Sequence, residues 1–349
     1  MPVNRKGCGS SHTTGRARVG GVAALFALIA LGCESTSETS GAGAPPMQAA
    51  PSSVQHPAPQ RIVSAGGQVT EVLYALGLGP ALVGVDTTST FPPEATALPK
   101  VGYLRRLSAE GVVSLAPALF IATDEAEPRA VLEQLRGAGI AVTLLDDAPG
   151  LEPAYARVLA IGDAVGRRER AEALVLEMKA AVTPVLAAVA KAAERPKVLF
   201  VYARGQGSAQ VAGAETGAGL MIELAGGRNA VGSFTGFRPL TAEAVVQAEP
   251  DYYLMPALGL QSINGIDGLL ALPGIAQTQA GKARRVITID DAKLLGFGPR
   301  VGLALRELTV QLHPELRSEL PQLAPGAVQA SGAAEPRPAT QPVSTVEAR

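Results

Sequence analysis

Tryptophan is absent from the 349 residues of this chain, and cysteine and histidine are scarce. The two cysteines, Cys8 and Cys33, lie outside the region that we expect to fold, so they provide neither a disulfide framework nor a metal cluster there. His12 and His56 precede that region, and His313 ends its last predicted helix. This scarcity excludes an ordinary Ser-His-Asp triad and weighs against a histidine-rich zinc or manganese site.

Charged residues are also few, at 17% of the chain, whereas apolar residues make up 47%, enough for a sizeable core. Residues 1–32 contain four basic residues and no acidic ones, so the remainder has 26 basic against 31 acidic residues. With a net charge of about −5 and no basic stripe, the remaining chain lacks the positive surface that nucleic-acid binding requires. The length suits two α/β domains once the ends are trimmed.

The N-terminus has the pattern of a lipoprotein signal peptide, which we assign to residues 1–32. Its apolar run over 19–32 is shorter than the roughly 20 residues of a membrane-spanning helix. The ending Leu31-Gly32-Cys33 resembles a lipobox, although Ala30 stands where leucine is usual. This predicts a lipid anchor on Cys33 and a location outside the cytoplasm; the alternative is an ordinary cleaved signal peptide. We interpret residues 33–60 as a flexible tether and 321–349 as a disordered tail.

The central region alternates short apolar strands with helical patterns. It predicts an N-terminal α/β lobe over 61–150, a linking helical segment over 151–196 and a C-terminal α/β lobe over 197–320. The linking segment contains a long helix, Arg167–Glu194, interrupted only by Pro184. The predicted fold is therefore α/β: two Rossmann-like lobes with central parallel sheets, joined by one long helix, with a ligand cleft between them.

The two lobes repeat a local pattern. Residues 108–117 and 240–250 each begin a helix with a Ser or Thr cap, place a glutamate two residues later and end in a proline before a strand. The glutamates are Glu110 and Glu243. Two lobes built on one plan explain the repetition.

This layout resembles the substrate-binding proteins of ABC importers whose lobes are joined by a single long helix, a group that handles cobalamin, siderophores and haem. Three segments are similar to the haem branch: Val101–Gly111, Phe234–Glu243 and Leu294–Arg300. The resemblance implies a monomeric extracytoplasmic receptor that captures haem as its transported ligand. It would be tethered to the membrane by its lipid anchor and would deliver haem to an ABC permease and its ATPase.

In the haem branch, the tyrosine of the Gly-Tyr-x-Arg pattern is the axial ligand of ferric iron, and the matching residue is Tyr103. Ferric iron is a hard Lewis acid, and tyrosine is a known haem ligand. A phenol ionises only near pH 10 in water, so coordination and a nearby cation must favour the phenolate. Arg105 would supply that cation, although Arg106 competes for the role. Arg238 would pair with a haem propionate at the cleft mouth.

The same resemblance gives Glu110 and Glu243 a role in docking to arginines of the permease, one on each lobe. Either glutamate could equally serve only to favour its helix N-terminus. Because no histidine is placed to face the cleft, we expect one axial protein ligand and one haem per chain.

Two alternatives remain open. A receptor for cobalamin or a ferric siderophore would use the same scaffold, but cleft aromatics would matter more in that case. A two-lobed α/β enzyme would need catalytic groups that the sequence does not offer: dinucleotide loops, a phosphate-binding loop and a nucleophile elbow are all missing. We therefore expect no enzymatic activity and no catalytic cofactor.

Overall fold

In the first lobe, parallel strands alternate with helices. A computed structural model describes residues 61–205 and 209–322. The strands of this lobe are β1 (Ile62–Ala65), β2 (Leu82–Val85), β3 (Gly102–Tyr103), β4 (Arg106–Leu107), β5 (Leu119–Thr123) and β6 (Ala141–Leu145). Its helices are α1 (Gly67–Ala75), α2 (Pro93–Thr96), α3 (Ala109–Val113) and α4 (Arg129–Gly137).

Four of these strands form one parallel sheet in the order β2-β1-β5-β6, and β3 and β4 form a separate antiparallel hairpin. Strands β1 and β5 are buried at every position, as is typical of parallel strands that helices cover on both faces. The sheet thereby presents the carboxyl ends of its strands, and the loops that follow them, along one edge.

Two helices link the lobes, α5 (Leu151–Ala164) and α6 (Arg168–Val189). The long helix that we predicted over Arg167–Glu194 is α6, which has 22 residues and ends earlier, at Val189. Pro184 lies inside it. Because a residue that precedes proline avoids the helical conformation, Arg195 could not extend the helix, which ends six residues before it.

The second lobe is built on a six-stranded sheet. Its strands are β7 (Lys197–Tyr202), β8 (Gln210–Ala212), β9 (Arg228–Asn229), β10 (Phe237–Pro239), β11 (Tyr252–Pro256) and β12 (Val286–Ile289). Its helices are α7 (Gly217–Leu224), α8 (Ala242–Ala248), α9 (Ala257–Ser262), α10 (Gly265–Leu270), α11 (Gln279–Lys282), α12 (Asp291–Leu295) and α13 (Val301–Leu312).

This second sheet is mixed. Strands β9, β7, β11 and β12 run parallel, while β8 and β10 extend the sheet with antiparallel pairing in the order β10-β8-β7-β11-β12. The two antiparallel strands are only three residues long and were not expected from the sequence. The α/β prediction with two lobes is confirmed, with this addition.

The lobes share one hydrophobic core. It runs from Leu73 and Ile121 in the first lobe through Leu174 of α6 to Phe200 and Leu305 in the second. Packed side chains therefore join the lobes continuously, in addition to the helices that link them. Each lobe has a further core of its own.

The predicted signal peptide, tether and tail, with Cys33, His12 and His56, lie outside the described residues. Over 61–205 and 209–322, no helix combines the length and apolar character needed to cross a bilayer.

Candidate functional site

A cleft of about 850 Å³ lies between the two lobes. Its volume falls in the range of small-molecule and cofactor sites, roughly 300–1,000 Å³. Both lobes contribute its walls, largely through loops that follow strands. The aromatic and arginine side chains that line it are Tyr103, Arg105, Arg157, Tyr202, Arg204, Phe237 and Phe297.

Tyr103 lies on the cleft wall in the first lobe, with 43% of the residue exposed. The β3–β4 hairpin holds it, because Tyr103 pairs with Arg106 across the hairpin. Gly102 has φ +108°, and a side chain there would come within 2.6 Å of the Arg106 carbonyl oxygen. The Gly-Tyr sequence is thus a requirement of the turn that presents the phenol ring to the cleft.

Arg105 also lines the cleft, but its guanidinium pairs with the carboxylate of Glu125, with Nη2 2.5 Å from Oε1. No hydrogen bond joins Arg105 to Tyr103 among the described residues. The two side chains lie near each other, whereas the guanidinium is engaged by Glu125 and not by the phenol.

The second lobe presents a tyrosine and an arginine with the same spacing. Tyr202 ends β7, and Arg204 donates from Nε to its hydroxyl oxygen at 3.1 Å. A second donation from Arg204, at 2.8 Å, goes to Oδ1 of Asp291. The ring of Phe237 meets Tyr202 edge-on, with ring centroids 6.3 Å apart. The lobes therefore face each other with matching Tyr-x-Arg pairs.

Sequence reasoning missed Tyr202 and Arg204. Two signals could have found them: the spacing, which repeats that of Tyr103 and Arg105, and the position at the carboxyl end of a parallel strand. Ligands of open α/β sheets bind outside the carboxyl ends of the strands.

Arg238, which we expected at the cleft mouth, lies beside the cleft instead. It is exposed on β10 and stacks over the ring of Phe234, 4.4 Å from its centroid. Its neighbour Phe237 faces the cleft. Because successive residues of a strand point to opposite faces, Arg238 points away from the cavity that Phe237 lines.

The floor of the cleft carries a partly buried acid. Asp147, which follows β6, accepts a hydrogen bond from Nε2 of Gln68 at 2.6 Å and lies 3.5 Å from Nη1 of Arg157. Burial raises the pKa of Asp147 to about 6, although Arg157 and Gln68 pull it down. Arg157 itself is buried and donates to the carbonyl oxygens of Asp146 and Gly296, which fixes it across the lobe boundary.

The raised pKa predicts a pH-dependent contribution to stability. A carboxyl group whose pKa rises from 3.8 in the unfolded chain to about 6 in the folded one favours folding at low pH, and that contribution is lost as pH rises through this range. Asparagine does not titrate, so Asp147→Asn removes this decrease in stability with rising pH. The unfolding free energy of the variant minus that of the wild type should therefore increase by about 2 kcal/mol between pH 4 and 7, measured by urea unfolding. A flat difference for Asp147→Asn would contradict the prediction.

Behind the cleft, a buried ion pair joins the lobes. Arg300, just before α13, donates from Nε to Oε2 of Glu71 on α1 at 2.9 Å, and its Nη2 lies 3.2 Å from Oδ1 of Asp290. The guanidinium stacks on the ring of Phe91, 3.8 Å from its centroid. Burial raises the pKa of Glu71, and Arg300 opposes that rise. The sequence alone offered no reason to single out Arg300.

Glu110 and Glu243 occupy corresponding places on the surface. Each lies exposed in the first turn of its helix, α3 or α8. The predicted caps are present: Ser108 Oγ accepts from the Gly111 amide at 3.1 Å, and Thr241 Oγ1 accepts from the Ala244 amide at 3.2 Å. Neither glutamate lines the cleft.

His313 follows the last helix and is buried, with Nε2 3.2 Å from the carbonyl oxygen of Gly226. It does not line the cleft. The described residues therefore bring phenols and guanidinium groups to the cleft, and no imidazole.

Two α/β lobes on a common core, with a cleft lined by aromatic and arginine side chains, define a two-lobed ligand-binding protein. The chain belongs to the periplasmic binding protein family, whose sequence model matches residues 62–292. The proteins of this family and the similar structures below are substrate-binding proteins of transport systems.

Among solved structures, the chain is similar to the periplasmic heme-binding protein RhuT from Roseiflexus sp. RS-1 in apo form. The two share 42% identity with a TM-score of 0.71, over 73% of this chain and 98% of RhuT. It is also similar to the periplasmic heme-binding protein BhuT in complex with two hemes, at 41% identity and a TM-score of 0.67, over 72% of this chain and 98% of BhuT.

Among curated relatives, an uncharacterized ABC transporter substrate-binding lipoprotein of Bacillus subtilis strain 168, YvrC, is 30% identical over 75% of this chain and 82% of its own length. A cobalamin-binding protein of Halobacterium salinarum is 26% identical over 73% of this chain and 70% of its own length. The relatives thus include proteins named for haem and for cobalamin.

Proposed function

We propose that this protein is the substrate-binding component of an ABC importer and that it captures ferric haem in the cleft, with Tyr103 as the axial ligand of the iron. One observation carries the proposal: a phenol on the cleft wall, presented by a glycine-dependent hairpin with an arginine two residues away. A phenolate oxygen suits ferric iron, and the guanidinium favours the ionised phenol. The identity of about 40% to two proteins named for haem supports the same ligand.

The second lobe would complete the haem site. Phe237 and Leu258 are apolar, line the cleft and are nearly half exposed, so a porphyrin face could bury them. Tyr202 and Arg204 would approach the ligand from the side opposite to Tyr103. In this proposal Arg204, rather than Arg238, is the arginine of the second lobe that meets a propionate.

Glu110 and Glu243 would dock the receptor on the permease. In each capped helix an exposed valine, Val113 or Val246, follows the glutamate by three residues, which places it on the same helix face. The partner would carry a basic residue beside an apolar one at two corresponding places. The anchor at Cys33 would keep the receptor beside the permease and its ATPase, and the relative YvrC, named as a lipoprotein, is consistent with that anchor.

The identity of the ligand is tested by ligand titration of the purified protein. The protein used lacks the predicted signal peptide and carries Cys33→Ser, which prevents lipidation. Ferric haem, cobalamin and a ferric siderophore are added separately and then in competition. We expect saturable binding of one haem per chain, a tyrosinate-type ferric spectrum, and no displacement of haem by equimolar cobalamin or siderophore. The titration should continue beyond one equivalent, since BhuT is described with two hemes.

Cobalamin is the second candidate ligand, favoured by the cobalamin-binding relative in Halobacterium salinarum. Saturable cobalamin binding together with weak, unsaturable haem binding would overturn the haem proposal and leave the importer role in place. A receptor role needs no catalytic group, and we propose no enzymatic activity.

A further inference from the structure

Both arginines at the edges of the cleft are neutralised by carboxylates of the protein. In the first lobe, Arg105 pairs with Glu125, with N–O separation 2.5 Å. In the second, Arg204 pairs with Asp291 at 2.8 Å. All four side chains line the cleft. Each lobe therefore repeats one arrangement: a tyrosine, an arginine two residues later, and an acid from a distant segment that holds the arginine.

These pairs differ from the other ion pairs of the lobe boundary in their exposure. The side chains of Arg105 and Glu125 are 53% and 40% exposed, and that of Arg204 is 54% exposed although its acid, Asp291, is only 14% exposed. In the buried pair, Arg300 is 10% exposed. An exposed pair contributes little stability, so another anion can exchange with Glu125 on Arg105 at little cost. Exchange at Arg204 would leave the carboxylate of Asp291 with its hydrogen bond from the Leu258 amide. A buried pair cannot exchange in this way, because breaking it leaves an unpaired charge.

We propose that Glu125 and Asp291 are built-in competitors for the carboxylates of the ligand. When a ligand with carboxylate groups enters, its oxygens replace those of the two acids on Arg105 and Arg204. The displaced acids stay in the cleft, where they repel the bound anion and lower its affinity. When the ligand leaves, the internal pairs form again, which favours release to the next protein in the transport system. This inference rests on the proposed function and extends it by assigning residues that limit affinity.

The competition predicts an affinity gain from removing an acid. Glu125→Gln and Asp291→Asn keep side-chain size and remove one charge each. We expect each to tighten ferric haem binding by roughly threefold to tenfold, and only the upper end exceeds the effect of a typical exposed pair, because the ligand excludes water. Haem dimethyl ester, which lacks both carboxylates, should gain less affinity than haem in the variants, because a freed Arg105 can then act only on the phenolate of Tyr103. The measurement is the dissociation constant from absorption titrations, with thermal unfolding to verify the fold.

Two controls separate exchange from a general loss of negative charge. Glu215 also lines the cleft, and it is not part of any ion pair among the residues that the structure describes. Glu215→Gln therefore makes the same charge change in the same cavity, and we expect less than a twofold effect. In an Arg105→Gln background, Glu125→Gln should lose its effect, because the acid acts through that arginine.

The outcomes are distinct. Haem binding that stays within twofold in both variants overturns the inference and leaves the haem proposal standing. Equal gains for the dimethyl ester, or for Glu215→Gln, overturn it as well. Absence of haem binding in the wild type overturns the proposed function and the inference together. Asp291 also accepts a hydrogen bond from the Leu258 amide, so its substitution could disturb the fold. Glu125→Gln provides the test if Asp291→Asn fails to fold.

Discussion

Tyr103→Phe is expected to weaken the binding of ferric haem by at least about 100-fold. The variant keeps the ring and its packing but removes the oxygen that would bind the iron. Loss of a group that only orients a metal ligand already costs 10–100-fold in affinity, so loss of the ligand itself should cost more. The absorption band of the ferric tyrosinate should disappear with it. Titration followed by absorption spectroscopy measures both.

Two other tyrosines calibrate this effect. Tyr202→Phe removes the hydroxyl that meets Arg204 on the opposite wall, and we expect a smaller loss with the tyrosinate spectrum retained. Tyr252→Phe, on β11 and away from the cleft, should change nothing. A Tyr103→Phe protein with wild-type affinity and spectrum would remove Tyr103 from the iron. If Tyr202→Phe alone abolished the spectrum, the ligand would be in the second lobe.

Arg300→Met is expected to lower the unfolding free energy by about 3–5 kcal/mol at neutral pH, the cost of removing one partner from a buried ion pair. Glu71 would remain buried between the lobes without its main cation. Because burial already raises the pKa of Glu71, the carboxyl group would take up a proton as pH falls. A folded-state pKa above the unfolded value favours folding at low pH, so the cost should shrink towards pH 5. Urea unfolding at both pH values measures it.

Arg284→Met is the matched control for that prediction. Arg284 pairs with Asp267 at 2.8 Å, but both side chains are at least half exposed, so its loss should cost less than about 1 kcal/mol. The double variant Glu71→Met/Arg300→Met should regain much of the stability, since two well-packed apolar side chains can replace a buried pair. Equal costs for Arg300→Met and Arg284→Met would show that the buried pair does not hold the lobes together.

Features that depend on short stretches of chain could be predicted from the sequence. Strand β2 and strand β7 begin and end where the apolar runs do, because each run is flanked by turn residues. The caps at Ser108 and Thr241 follow from hydrogen bonds within three residues. The β3–β4 hairpin at Tyr103 was not expected, because the positive φ of Gly102 on which it depends shows only in the folded chain. The docking role of the glutamates and the ligand role of Tyr103 stay predictions.

What the sequence by itself determined is therefore the two-lobed α/β plan, since periodicity and turn chemistry act over a few residues. Tyr103 was singled out by the resemblance of its segment to a family. Tertiary structure alone decided which side chains share the cleft. It brought Asp291 to Arg204 across 87 positions and Glu71 to Arg300 across 229. Whether Arg238 or Phe237 faces the ligand depended on the register of β10, and a shift of one residue exchanges the two faces of a strand. Such contacts depend on how whole elements pack, and no local pattern specifies them.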